Sequence, residues 1–203
     1  DRNCHKSVHH GVVLSGAHPI YLDSSVNKKF NIYGPVPKQT LFDAIEKHHD
    51  AQALILTSCT YDGLRYDLPP IIQAAHAKGI KVIIDEAWYG FASFHPAFRP
   101  TALEAGADYA TQSTHKVLSA FSQSSMIHVN DPDFNEHIFR ENFNMHTSTS
   151  PQYSMIASLD ISRKQIVLEG YKLLSRTLEL AKELRAQINS TGVFQVLELS
   201  ELL

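Results

Sequence analysis

Two short runs of the chain are almost continuously apolar, and they restrict its possible folds more than any other feature. The runs are AQALILTS at positions 51–58 and IKVIIDEAW at positions 80–88. Neither alternates apolar with polar residues, which is how a strand reads when both of its faces are covered. Such strands are typical of a parallel sheet between layers of helices, so the sequence predicts that both runs lie in a sheet of this kind.

Segments with helical periodicity or helix boundary signals separate these strands. Strands that alternate with helices predict an α/β fold, with three layers in the order α/β/α and a mostly parallel sheet. Helices are predicted at 5–17, 37–50, 68–79, 100–107 and 151–190, and further strands at 18–23, 108–113, 124–130 and the beginning of 193–203.

The composition restricts the function classes. The 203 residues carry a net charge of −3, with 43% hydrophobic and 19% charged residues, as expected for one globular core. This charge gives no sign of nucleic-acid binding or of a polybasic membrane surface, and no apolar run reaches the roughly 18–20 residues that a membrane span requires. Cys4 and Cys59 do not make a disulfide framework, so we expect a cytoplasmic protein.

Polar residues follow three of the predicted strands. In an open α/β sheet, functional groups collect beyond the carboxyl ends of the strands. Here those ends are followed by SCTYD at 58–62, DEAW at 85–88 and STHK at 113–116. We therefore expect these three groups to converge on one edge of the sheet.

Asp85 and Lys116 each admit two interpretations. Asp85 either caps the turn after its strand or, as a carboxylate at the end of a buried strand, holds a cationic partner. Lys116 is either a surface lysine or an amine that forms a Schiff base. A lysine, a carboxylate and nearby hydroxyls are what pyridoxal phosphate requires for its aldehyde, its ring nitrogen and its phosphate. Together they favour this cofactor.

The histidines near the N-terminus also have competing interpretations. His5 either begins a helix or stacks on a cofactor ring, opposite a small residue such as Ala87. His5 and His9 have the i, i+4 spacing that can place two metal ligands on one helix face. Cys4 and His10 lie beside this pair, but a third and a fourth ligand at a suitable spacing are missing. No metal site is therefore predicted.

Five segments together resemble one enzyme family. They are DRNCHKS, SCTYDG, DEAWYGF, TQSTHK and HTSTSPQY, in this order over residues 1 to about 155. Taken together they are similar to the major domain of the bacterial ornithine/lysine/arginine decarboxylases. That family consists of fold-type I pyridoxal-phosphate enzymes, whose core fold is like that of aspartate aminotransferase.

The resemblance implies roles around the cofactor ring. Lys116 would hold the cofactor through a Schiff base, and Asp85 would pair with the pyridinium nitrogen. Trp88 would donate its indole N–H near the phenolate oxygen. His5 would stack on one face of the ring, with Ala87 on the other.

Further roles concern the phosphate and the proton. The resemblance implies that Ser113 and His115 bind the phosphate, and that Thr147 reaches the phosphate or substrate of a neighbouring subunit. His115 and Lys116 are both candidates for returning a proton to the substrate α-carbon. The implied catalytic residues are thus Lys116, Asp85, His5 and His115.

The implied activity is the decarboxylation of ornithine, lysine or arginine, in a homodimer or larger homo-oligomer with a shared active site. Two alternatives stay open: another fold-type I enzyme, such as an aminotransferase or lyase, and a non-catalytic regulatory relative. We expect residues 1–155 to be part of the cofactor domain, 156–190 a long helix leading out of it, and 191–203 the start of a small C-terminal domain. The family's Gly-Thr-Ser phosphate loop would precede DRN, so we expect a portion of a longer enzyme.

Overall fold

A computed structural model describes residues 1–202 of the chain. Its strands are β1 (Val26–Asn27), β2 (Ile32–Tyr33), β3 (Ala53–Thr57), β4 (Lys81–Asp85), β5 (Tyr109–Gln112) and β6 (Met126–Val129). Its helices are α1 (Lys6–Ser15), α2 (Lys38–Lys47), α3 (Leu68–His76), α4 (Thr114–Val117), α5 (Glu136–His146), α6 (Tyr153–Ser190) and α7 (Leu199–Leu202), with 3-10 turns at Ala92–Phe94 and Pro96–Phe98. Within residues 1–202, no helix combines the length and apolar character needed to cross a membrane.

The main sheet has four strands in the order β3-β4-β5-β6. The first three are parallel, and β6 runs antiparallel to β5. The separate pair β1–β2 is antiparallel. The predicted α/β class with a mostly parallel sheet is confirmed. Because β3, β4 and β5 are parallel neighbours, their carboxyl ends meet at one edge, as the sequence predicts.

The core lies on one face of the main sheet. The sheet contributes three large, completely buried side chains to it: Leu56 of β3 and Val82 and Ile84 of β4. The helices contribute Leu41 of α2 and Ile72 of α3 to the same cluster. The opposite face is less well covered, since Ile83 is only half-buried and Ile127 of β6 is 48% exposed. The second face is therefore covered in part, whereas the first holds the completely buried strand residues.

The long helix α6 confirms the pattern predicted from position 151 to about 190. Its buried residues Ser158, Ser162, Ile166 and Gly170 repeat every four positions and form one narrow stripe. At Gly170 the stripe passes so close to the turn Ala92–Phe94 that an added Cβ would lie 3.0 Å from the Cβ of Phe94. This close approach favours glycine there, since a side chain would require Phe94 or Ile166 to shift.

Three local predictions are wrong, and one helix was not predicted. Residues 18–23 form no strand ladder, and Leu22 is tied to the rest of the chain by a backbone bond from Arg2 N to its carbonyl oxygen, 2.9 Å. Residues 100–107 form successive turns rather than a helix. Residues 193–198 contain no strand, and Leu203 lies outside the described residues. Helix α5 was not predicted, although the Asn135 side chain accepts from Ile138 N at 3.0 Å and is a good N-cap.

Candidate active site

A cavity of about 620 Å³ opens at the carboxyl ends of β3, β4 and β5. Its volume is within the range of about 300–1,000 Å³ that small-molecule and cofactor sites occupy. The strand ends contribute Thr57, Asp85 and Thr111 to its wall. The start of α1 contributes His5, and the segment around α4 contributes Lys116. Sheet topology thus brings together residues that are more than a hundred positions apart in the sequence.

Asp85 is the last residue of β4, and its two interpretations turn out to be compatible. One carboxylate oxygen, Oδ1, accepts a hydrogen bond from Ala87 N at 2.9 Å, so the side chain does cap the following turn. Asp85 is half-buried and also lines the cavity, as does Ala87. The backbone bond fixes the direction of the carboxyl group, which keeps a second oxygen for another partner.

Lys116 lies in the short helix α4, directly after β5. Its side chain is exposed and its Nζ is 4.8 Å from the centroid of the Trp88 ring. This is a cation–π contact, which holds the ammonium group over the indole face. Trp88 is 45% exposed and lines the cavity with Lys116. The structure therefore brings Asp85, Trp88 and Lys116 together around one space.

His5 and Ser113 both occupy positions at the start of helices. The His5 side chain caps α1, with its Nδ1 accepting from Ser7 N at 3.3 Å, which confirms the interpretation that it begins a helix. His5 nevertheless lines the cavity with an exposed side chain. Ser113 lines it too and makes no capping hydrogen bond with its hydroxyl, so this hydroxyl is available to a ligand.

The structure does not bring His115 or Thr147 to the wall of this cavity. His115 Nδ1 is 2.8 Å from the carbonyl oxygen of Ser124, which fixes Nδ1 as the protonated ring nitrogen. Thr147 follows α5 on the exposed surface, and its hydroxyl donates to the carbonyl oxygen of Phe143 at 3.0 Å. The phosphate-binding role of His115, and the reach of Thr147 to the phosphate or substrate of a neighbouring subunit, stay predictions.

Glu86 is a buried glutamate beneath the cavity wall, and no role was predicted for it from the sequence. Glu86 is 1% exposed, and its carboxylate accepts from Ala102 N at 2.7 Å and from Gln112 Nε2 at 2.9 Å. Gln112, which lines the cavity, also lies 2.9 Å from His128 Nε2 through its Oε1. Burial raises the pKa of the Glu86 carboxyl group above its usual value. This network fixes the end of β5 just before Lys116.

Comparison with known proteins gives a consistent result. The family model described as "Orn/Lys/Arg decarboxylase, major domain" matches residues 1–201. The chain is 38% identical over 189 residues to an arginine decarboxylase of Bacillus cereus, covering 93% of this chain and 41% of that protein. It is 37% identical over 209 residues to the lysine decarboxylase LdcA of Pseudomonas aeruginosa, covering 91% of this chain and 28% of that protein.

A solved structure supports the fold independently of sequence. The archaeal O-phosphoseryl-tRNA(Sec) selenium transferase superimposes with a TM-score of 0.72 at 16% identity, over 97% of this chain and 45% of that chain. At this identity the likeness shows the fold alone. The chain spans less than half the length of each of these three proteins.

Proposed function

The chain belongs to the Orn/Lys/Arg decarboxylase family, and from that premise we propose that the whole protein decarboxylates a basic amino acid with pyridoxal phosphate. One observation carries the proposal: Lys116 and Asp85 share a single cavity at the carboxyl ends of adjacent parallel strands. Relatives named as arginine and lysine decarboxylases support the same reaction and favour a basic amino acid as the substrate.

The residues of the cavity fit this cofactor chemically. The amine of Lys116 suits its aldehyde, the carboxylate of Asp85 suits its ring nitrogen, and the uncommitted hydroxyl of Ser113 suits its phosphate. His5 and Trp88 add flat surfaces on the wall of the same cavity. When bound, the cofactor supplies an electron sink for the bonding pair that the departing carboxyl group leaves behind.

The chain's own residues then have distinct tasks. Asp85, held by Ala87 N, would keep a proton on the ring nitrogen by pairing with its positive charge. Lys116 would anchor the cofactor and yield its place to the substrate amine. Lys116 is also the better candidate to return a proton to the α-carbon, because its amine is on the cavity wall whereas His115 is bonded to Ser124. Thr147 would reach the site of a second subunit in a homodimer.

Covalent trapping at Lys116 is the experiment that tests this function. We expect the protein mixed with pyridoxal phosphate to develop a visible absorption band. Borohydride reduction should then fix the cofactor permanently, and peptide mapping should find it on Lys116. A label on any other residue, or no band, would contradict the proposal. Carbon dioxide release from ornithine, lysine and arginine, measured separately, then identifies the substrate.

Replacing Asp85 with asparagine should preserve the shape of the site but remove its charge. We expect decarboxylation to fall by about 10²–10³-fold, because asparagine carries no charge to keep the ring nitrogen protonated, and the protonated ring is the better acceptor of the bonding pair. Covalent trapping at Lys116 should persist. The matched control is Asp50→Asn, an exposed carboxylate after α2, which should leave the rate unchanged. Full activity in Asp85→Asn would show that Asp85 is only a turn cap.

A further inference from the structure

Thr57 belongs to a row of three side chains on the cavity wall. In the pairing of β3 with β4, Thr57 lies opposite Asp85, and in the pairing of β4 with β5, Asp85 lies opposite Thr111. Paired residues of neighbouring strands point to the same face of a sheet. All three residues line the cavity. Any group that meets the Asp85 carboxylate therefore has Thr57 as its neighbour on one side.

The hydroxyl of Thr57 lacks a partner. Its Oγ1 is buried and makes no hydrogen bond within the described part of the chain, a property it shares there with Ser58, Thr114 and Ser162. Of these four residues, Thr57 is the one on the cavity wall. Buried hydroxyls are nearly always hydrogen-bonded in native proteins because an unmade bond carries a penalty. A ligand in the cavity would supply the missing partner.

A rotation about the χ1 bond of Thr57 would bring its hydroxyl to the cavity. Because Oγ1 is shielded while Thr57 still lines the cavity, the wall at this point consists of the other atoms of the residue. The hydroxyl and the methyl group are both attached to Cβ, so a rotation of about 120° about χ1 carries the hydroxyl to the position of the methyl group, while the methyl group takes the place of the Cβ hydrogen. Strands accommodate more than one χ1 well. No hydrogen bond within the protein is lost in this rotation, since none is made.

We propose that Thr57 is a further cofactor-contacting residue, whose hydroxyl turns into the cavity and hydrogen-bonds a polar ring substituent or ring atom beside Asp85. This inference rests on the proposed function, because pyridoxal phosphate is the ligand. The Asp85 carboxylate is fixed by Ala87 N, so a second contact from the adjacent strand would fix the rotation of the ring in its plane. Thr57 is thereby a residue that positions the cofactor for Lys116.

The test compares Thr57→Val, which replaces the hydroxyl with a methyl group of similar shape, with Thr57→Ser, which keeps the hydroxyl. In the whole protein stripped of cofactor, we expect Thr57→Val to raise the Kd for pyridoxal phosphate by about tenfold, the value of one hydrogen bond. Thr57→Ser should bind like the wild type. The thermal midpoint of cofactor-free Thr57→Val should equal or exceed that of the wild type, because an unpartnered buried hydroxyl is removed.

Ser162→Ala is the control, because it deletes an unpartnered buried hydroxyl on α6, away from the cavity wall. We expect it to leave the Kd unchanged. Equal Kd values for Thr57→Val and the wild type would overturn the Thr57 contact while leaving the proposed function intact. A cofactor-free midpoint of Thr57→Val below that of the wild type would overturn it as well, since the loss of affinity would then follow from damaged packing. A wild type that binds no pyridoxal phosphate would instead overturn the proposed function itself.

Discussion

Substituting Lys116 with methionine is expected to abolish covalent attachment of pyridoxal phosphate and to lower decarboxylation by on the order of 10³-fold or more. Among the described residues, Lys116 supplies the one side-chain amine on the cavity wall. Methionine has a similar length and packs well against aromatic rings, so it should keep the contact with Trp88. The loss would then reflect the missing amine rather than a collapsed site.

The measurements are borohydride trapping with peptide mapping and carbon dioxide release from the preferred basic amino acid. Lys78→Met is the matched control, since Lys78 follows α3 and pairs with Glu46 at the surface. That variant should trap the cofactor on Lys116 as the wild type does. Trapping at a different lysine in Lys116→Met, with activity retained, would show that Lys116 is not the attachment point.

The sheet and two of its functional residues could be predicted from the sequence because each depends on a local signal. The apolar runs that became β3 and β4 are short, lack alternation and end abruptly in polar residues. Their parallel pairing brings the strand ends together, so Asp85 and Lys116 were expected at one edge. The pairing register, with Thr57 opposite Asp85, is a tertiary property that no local pattern contains.

Other parts of the fold were predicted wrongly where local signals are weak or conflict. The segment 100–107 contains helix-forming residues, but Gly106 adopts φ 99°, a conformation that ends any helix and turns the chain into β5. The segment 18–23 has an apolar strand pattern, but its backbone bonds to another part of the described chain at a single point, the carbonyl oxygen of Leu22, and so forms no ladder. Helix α5 has no fully buried residue, and although Phe139 and Phe143 have the i, i+4 spacing of a helix face, its apolar signal is short.

Some residues of the site could be predicted and others could not, because several of them meet only in the folded chain. His5 is far from Asp85 in sequence, so the residues alone left its place at a cofactor ring as one of two interpretations, and the resemblance to a family favoured it. The same resemblance implied His115, whose side chain the structure instead bonds to Ser124 O. Glu86 stands next to Asp85 in the sequence, yet strand alternation sends its side chain to the buried face. Its role depends on Ala102 and Gln112, which sequence spacing does not connect to it.

Glu86→Ala is expected to lower the free energy of unfolding by about 2–4 kcal/mol, the cost of leaving one buried and one half-buried donor unpaired and opening a cavity. Those donors are Ala102 N and Gln112 Nε2. Urea unfolding of the variant and the wild type measures the difference. Glu46→Ala is the control: Glu46 is an exposed glutamate paired with Lys78 at the surface, and its loss should cost under about 1 kcal/mol. Equal effects of the two substitutions would contradict the structural role of Glu86.

The penalty for Glu86→Ala should also depend on pH in a definite direction. Burial is the main cause that raises the pKa of Glu86 above the ordinary 4.5, and the negative charge of Glu104 raises it further. The hydrogen bonds from Gln112 and Ala102 and the positive charge of Arg65 lower this pKa, but by less than burial raises it. A carboxyl group with a raised pKa binds its proton more tightly in the folded chain than in the unfolded chain. Its contribution to stability is therefore complete below pH 4.5 and declines as the pH rises through the folded pKa. The difference in unfolding free energy between wild type and Glu86→Ala should accordingly be larger at mildly acidic than at mildly alkaline pH. If this difference in unfolding free energy instead grows with pH, the folded chain favours the ionised form of Glu86. The effects of Arg65 and the two donors on the Glu86 pKa would then exceed the effect of burial.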